Sequence, residues 1–182
     1  MKTLLLIGAI ALSINSFGQE SEPKLELPKI GLGLNFTPFN LTDYYSVDYS
    51  PSKLMITYTP IKFLRIVPEI GYMSVKDDNS KTSFLVYGAG LFFMGQKGKT
   101  NIYGGPKVEY ATTKNTYESE TNKNGRLTIA PTIGAEYFFG QHFSIGGEFA
   151  LKFISFKAIT NGSNPDDKIT TTGASVQLRF YF

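Results

Sequence analysis

The chain has no cysteine, no tryptophan and a single histidine, His142, and charged residues make up only 18% of its 182 positions. Without cysteine there is no disulfide framework, no thiolate metal site, no Cys nucleophile and no lipidated cysteine anchor. From Lys29 onward no apolar run reaches the 18 residues of a membrane-crossing helix, and no segment keeps apolar residues at helical spacing. The net charge of +3 includes Lys2, leaving about +2 after loss of a leader, too little to attract nucleic acid or an acidic partner. Nucleic acid is therefore excluded as a partner. What is abundant is aromatic and small: 15 Phe, 11 Tyr and 18 Gly. That balance favours β structure, and the length suits one domain.

The first residues, MKTLLLIGAIALSINSFGQ, carry one positive charge, an apolar run from Leu4 to Leu12, and small Ser16 and Gly18 before Gln19. This is the pattern of a cleavable secretory leader over 1–18, because the apolar run is roughly half of the ~20 residues a spanning helix needs. Residues 19–28 are polar and contain Pro23 and Pro28, which predicts a short flexible lead-in to a domain covering 29–182.

Within 29–182 the hydrophobic period is two. Ile30, Leu32, Leu34 and Phe36 alternate with Gly31, Gly33 and Asn35; Leu64, Ile66, Pro68, Ile70 and Tyr72 alternate with Arg65, Val67, Glu69 and Gly71. Successive side chains of an extended strand point to opposite faces, so each such segment has an oily and a wetter side. Eight strands result. The fourth, TSFLVYGAGLFFM, is apolar in both phases, and Leu85, Tyr87, Ala89, Leu91 and Phe93 are assigned to its oily face. The linkers alternate in length: TPFNLTDYYSVDYSPSK, KDDNSK, TKNTYESETNKN and KAITNGSNPDDK against PIK, GQKGK and GQ. Short turns at one end and longer polar loops at the other are expected of an antiparallel up-and-down transmembrane β-barrel.

Nine charged residues fall in strand cores, and all take the wetter phase: Arg65, Glu69, Lys107, Glu109, Arg126, Glu136, Glu148, Lys152 and Arg179. A Lys or Arg facing lipid at midplane costs about 2–4 kcal/mol. Inside a closed barrel it can pair with a carboxylate instead. A soluble periplasmic carrier barrel would be apolar inside and polar outside, the reverse pattern. The nine residues are therefore predicted to form a charge network inside the barrel.

The leader, the eight alternating strands, the segments RIVPEIGY, TIGAEYFFG and FSIGGEFALKF, and the terminal Phe182 resemble the small outer-membrane β-barrel domains of the OmpA and OmpX type. The resemblance implies an all-β, eight-stranded fold in the bacterial outer membrane, outer-membrane lipid as surroundings, and a barrel-assembly machinery that reads Phe182. It further implies a structural or interaction role with an unidentified extracellular ligand or protein. Gln19 after the cleavage site resembles exported proteins of the Bacteroidetes. Pro68, Pro106 and Pro131 lie mid-strand, where a barrel needs its N–H groups paired, and are expected to mark local bulges.

Chemical motifs are weak. GQKGKT has Phe93 where a P-loop needs its first glycine, and GLGLNF and YGAGL precede no helix. Asp77/Asp78 and Asp166/Asp167 lack a full calcium-loop pattern. His142 and Ser144, with Glu148 beyond, resemble the His and Ser of outer-membrane lipid A deacylases, but His142 falls at a short periplasmic turn and Ser144 in the inward phase. The expectation is a monomer without enzymatic activity or cofactor. Eight strands enclose space that side chains fill, which disfavours a porin. Phe39, Tyr44, Tyr45 and Tyr49 in the first loop are the candidate contact surface.

These assignments predict that spin labels at Ile133 and Phe149 collide with lipid-soluble oxygen, whereas labels at Glu136 and Glu148 do not. The inverse result would turn the barrel inside out.

Overall fold

Hydrogen-bonding the last strand to the first leaves no free sheet edge, and that closure organises the computed structural model, which describes residues 28–39, 51–78, 80–117, 120–158 and 168–182. The strands are β1 (Ile30–Phe39), β2 (Lys53–Ile61), β3 (Leu64–Asp77), β4 (Ser80–Lys97), β5 (Thr100–Tyr117), β6 (Glu120–Phe138), β7 (Phe143–Ala158) and β8 (Lys168–Tyr181). Each pairs antiparallel with its sequence neighbours, and β1 pairs with β8. The ladder Leu34–Leu54–Ile70–Tyr87–Tyr110–Leu127–Ser155–Lys168 ends ten residues before Leu178, the partner of Leu34. One circuit therefore advances the register by ten residues. With strands ~4.8 Å apart and a rise of ~3.3 Å per residue, this stagger tilts the strands by about 40°.

The oily phase faces outward on every strand. Leu85, Tyr87, Ala89, Leu91 and Phe93 of β4 are exposed, while Val86 and Phe92 beside them are buried. At the end that carries both described termini and the short turns 62–63, 98–99 and 139–142, exposed aromatics form a ring. It includes Tyr137 edge-on to Phe139 at 5.3 Å, Phe139 stacked on Phe143 at 5.7 Å and Phe180 edge-on to Phe182 at 5.3 Å. A second ring holds Tyr72, Tyr87 and Tyr110, the last two with centroids 5.6 Å apart. Along the tilted β6, the ten-residue step from Leu127 to Tyr137 spans about 25 Å of height, matching the apolar band expected of an outer-membrane barrel.

Two expectations need correction. Pro68, Pro106 and Pro131 do not shift the register. Pairing of β2 with β3 is interrupted between Met55↔Glu69 and Tyr58↔Ile66, of β4 with β5 between Gly90↔Lys107 and Phe93↔Gly104, and of β6 with β7 between Ile129↔Phe153 and Thr132↔Ala150, each resuming in step. A strand residue aims its N–H at one neighbour only, so each proline weakens one ladder while the other stays intact: Pro68↔Ala89 and Pro106↔Pro131 pair normally. Second, KDDNSK and TKNTYESETNKN are not long loops. β3 runs to Asp77 and β4 starts at Ser80, while β5 runs to Tyr117 and β6 starts at Glu120. Threonine and tyrosine suit a paired ribbon even when both its faces are wet. The wall is therefore tall over β4–β6 (18, 18 and 19 residues) and low over β1–β2 (10 and 9), while the connections 40–52 and 159–167 remain the long ones in sequence.

Close packing inside leaves little tolerance. A Cβ at Gly134 would lie 2.5 Å from Tyr103 Cζ, whereas one at the outward Gly147 meets only Ser175 O at 3.8 Å. Gly134→Ala is expected to lower stability by about 1–3 kcal/mol and Gly147→Ala by less than about 0.5 kcal/mol, read as shifts of the urea midpoint in lipid vesicles.

Candidate functional site

Inward-facing residues stack in layers from the short-turn end. Phe138 and Tyr181, both fully buried with rings 5.3 Å apart, close the bottom. Above them Glu136 gathers four donors. Its Oε2 meets Arg65 Nη1 at 2.7 Å, and its Oε1 meets Arg179 Nη1 at 3.1 Å while accepting the hydroxyls of Tyr181 (2.6 Å) and Ser144. Tyr103 lies beside both cations, with the Arg65 and Arg179 guanidinium carbons 5.3 and 5.5 Å from its ring centroid. Each such contact adds an attraction that grows as water is excluded. The Tyr103 hydroxyl is 3.0 Å from Glu148 Oε1 and 3.1 Å from Gln177 Oε1 and has one proton for the two. Met55, Val67 and Phe92 pack beside Tyr103 as the apolar part of the filling.

A second cluster sits one layer higher. Lys53 Nζ bridges Glu69 at 2.9 Å and Glu109 at 2.6 Å, and Lys107 Nζ reaches Glu69 at 2.9 Å and Glu109 at 3.5 Å. Glu148 joins the clusters, 3.5 Å from Lys107 and 3.8 Å from Arg179. Lys53, Arg65, Lys107 and Arg179 thus match Glu69, Glu109, Glu136 and Glu148 in formal charge. A cavity of about 30 Å³ beside Lys53, Lys107, Glu109, Glu148 and Lys152 has room for a water or so. Higher still, at the mouth, a cavity of about 280 Å³ is lined by Thr82, Phe84, Asn115, Asn124, Arg126 and Phe156 among others.

Of the nine charged residues singled out in the sequence, seven meet in this network. Arg126 lines the upper cavity, and Lys152 lines the small one with its Cε over Gly173. Lys53 was missed because it stands beside a proline-containing loop. The signal was available, since the outward phase of Leu54, Ile56 and Tyr58 sends Lys53 inward. Phe182 is exposed, and its N–H donates to Ile30 O at 3.0 Å. Phe39 ends β1 with its Cα opposite Ala174, while Tyr44, Tyr45 and Tyr49 lie outside the described residues. His142 Nδ1 contacts Tyr181 O at 2.9 Å and Ser144 donates to Glu136, so the pair considered for nucleophilic chemistry takes separate partners. Among the described residues no three metal-ligating side chains converge.

The model of the family described as outer membrane protein β-barrel domain matches residues 4–180. No curated protein matches the chain. Among solved structures it is similar to Ail, the attachment invasion locus protein of Yersinia pestis, with a TM-score of 0.50 and 14% identity over 84% of this chain and 95% of that one. The same protein in complex with the heparin analogue sucrose octasulfate gives 0.51 and 16% over the same shares. CarO2 of Acinetobacter baumannii gives 0.41 and 9% over 86% and 99%. The likeness to Ail shows the fold, and nothing in the comparisons supports an origin in the Bacteroidetes.

Losing one member of the network should cost according to how many partners it strands. Glu136→Gln removes the carboxylate shared by Arg65 and Arg179 and is expected to cost about 3–5 kcal/mol. Lys53→Met leaves Lys107 with Glu69 and Glu109 and should cost less than half as much. Equal losses in urea titrations would rule out Glu136 as the centre of the assembly.

Proposed function

The chain belongs to the outer membrane protein β-barrel domain family, and we propose that it works as a non-conducting, non-enzymatic surface-interaction protein, held monomeric in the bacterial outer membrane. The observation that carries this reading is the filled interior: an array of four cations and four carboxylates, matched in formal charge, blocks the barrel at membrane height. No aqueous path of porin type fits beside it. The surface left for recognition is the outer end, where the β3–β4 and β5–β6 hairpins rise above the apolar band and where the first loop carries Tyr44, Tyr45 and Tyr49. In this reading the leader 1–18 is cleaved at Gly18/Gln19 during export and the terminal Phe182 is offered to the assembly machinery.

The structural neighbour Ail is recorded with a heparin analogue, which makes immobilised heparin a practical first probe. Cells displaying the full barrel are expected to adhere to it, and cells whose hairpins are trimmed at residues 74–83 and 114–123 are expected not to, with heat-modifiable gel mobility retained in both. In planar bilayers the purified barrel should give no steady conductance steps. Adhesion that survives trimming, or stepwise conductance, would defeat the reading.

A further inference from the structure

The ionic filling ends at a definite row, and a cavity begins above it. On the inward phase of β4–β6 the row Gly88–Glu109–Thr128 marks that limit, with Glu109 held from below by Lys53 and Lys107. The next row up runs Val86–Ala111–Arg126–Phe156, and the one above it Phe84–Thr113–Asn124. These two rows, with Thr82 opposite Asn115 higher still, line the cavity of about 280 Å³. Charge changes abruptly across the boundary. Four cations and four carboxylates fill the rows below, whereas among the described residues that line the cavity Arg126 is the single ion and no carboxylate is present. Polarity changes with height as well. The lower row is apolar apart from the guanidinium, with Val86 and Ala111 buried, and hydroxyls and amides enter only with Thr113, Asn124, Thr82 and Asn115 above it.

Size, charge and the order of the rows together identify the occupant. A cavity of about 150 Å³ accommodates a benzene ring, so one of about 280 Å³ has room for a ring and its substituents. A guanidinium carries five N–H donors in a planar fork, which lets Arg126 grip a carboxylate alongside its other contacts. A sugar acid would also bring a carboxylate. Its hydroxyls, however, would be stripped of water against Val86, Ala111 and Phe156, and that row offers them no neutral partner to offset the cost. A long-chain acid would have to thread its chain past Glu109 and Thr128, where the filling begins. We propose that the mouth of the barrel is a blind binding site for a small aryl monocarboxylate of the benzoate class. The carboxylate sits on Arg126, the ring lies against Val86, Phe84 and Phe156, and polar ring substituents meet Asn115 and Asn124. The ligand enters at the end of the raised hairpins and stops at the ionic row, so the site recognises its ligand without passing it on.

The test places the wild-type barrel, Arg126→Gln and Ala111→Phe in phosphatidylcholine nanodiscs, each checked for heat-modifiable mobility, with empty nanodiscs as background. Binding of 4-fluorobenzoate at neutral pH is followed by fluorine NMR. Wild type is expected to bind it saturably above background, and both variants at least about ten-fold more weakly, Arg126→Gln through loss of the charged hydrogen bonds and Ala111→Phe by filling the cavity. The neutral analogue 4-fluorobenzyl alcohol should bind wild type about ten-fold more weakly than the acid and should not distinguish wild type from Arg126→Gln. Where Ala111→Phe does not fold, the Arg126→Gln and alcohol comparisons decide. Binding no greater than to empty nanodiscs, or equal affinity in wild type and Arg126→Gln, would overturn the site. Glucuronate competing as strongly as unlabelled benzoate would make it a sugar-acid site and overturn the aryl class. No extracellular macromolecule enters this assay, so the surface-interaction reading stands or falls separately, on adhesion.

Discussion

In hydrocarbon no water is available to an unpaired N–H or C=O, so a sheet can cross a membrane only by pairing its last strand with its first. In this chain β1 meets β8 through a ladder from Gly31↔Tyr181 to Phe36↔Val176, and Phe182 extends it with a bond to Ile30 O. Closure of eight strands with a ten-residue stagger sets the bore, and the bore leaves space that side chains can fill. The remaining features follow from that width. The outward phase must be apolar, and the inward phase must supply a filling with matched polar groups.

The filling is ionic for a physical reason. Isolated buried charges are costly, and pairing offsets that cost only when lone pairs and protons are used up by further bonds. The oxygens of Glu136 meet that condition with two guanidinium groups and two hydroxyls, whereas Glu69 has only its two ammonium partners and Oε2 makes no hydrogen bond. Replacing buried ion pairs by apolar groups of equal volume is often neutral for stability, so what the pairs add here is read from the strands they join. Each pair here links strands far apart in sequence: Arg65 of β3 to Glu136 of β6, and Lys53 of β2 to Glu109 of β5. In the proposed function the same array that braces the barrel also closes it to ions, leaving recognition to the exterior and the raised hairpins.

Much of this was legible in advance, and the misses are informative. Period-two alternation assigned Arg65, Glu69 and Arg179 to the interior because burying one phase commits the whole strand. The outer face assigned to β4, apolar in both phases, agrees with the structure, whose register supplies the reason: Val86 stands opposite Gly71 and Ala111 while Leu85, Tyr87 and Leu91 continue the outer belt. Lys53 was lost to a loop boundary. The extensions of β3–β6 were lost because a ribbon wet on both faces has no hydrophobic period to detect. The prolines misled because strand rules treat a missing N–H as a break, whereas a barrel with two ladders per strand loses one bond and keeps its register.

The sequence alone determined which side chains face lipid and which face the lumen, the number of strands and the antiparallel order, because these depend on local period and turn chemistry. Only the closed tertiary structure decided which carboxylate meets which cation, that four cations and four carboxylates match in formal charge, and that Arg126 stands in one row with Val86, Ala111 and Phe156. Those relations depend on register between strands, and register is a property of the hydrogen-bonded circuit rather than of any one segment.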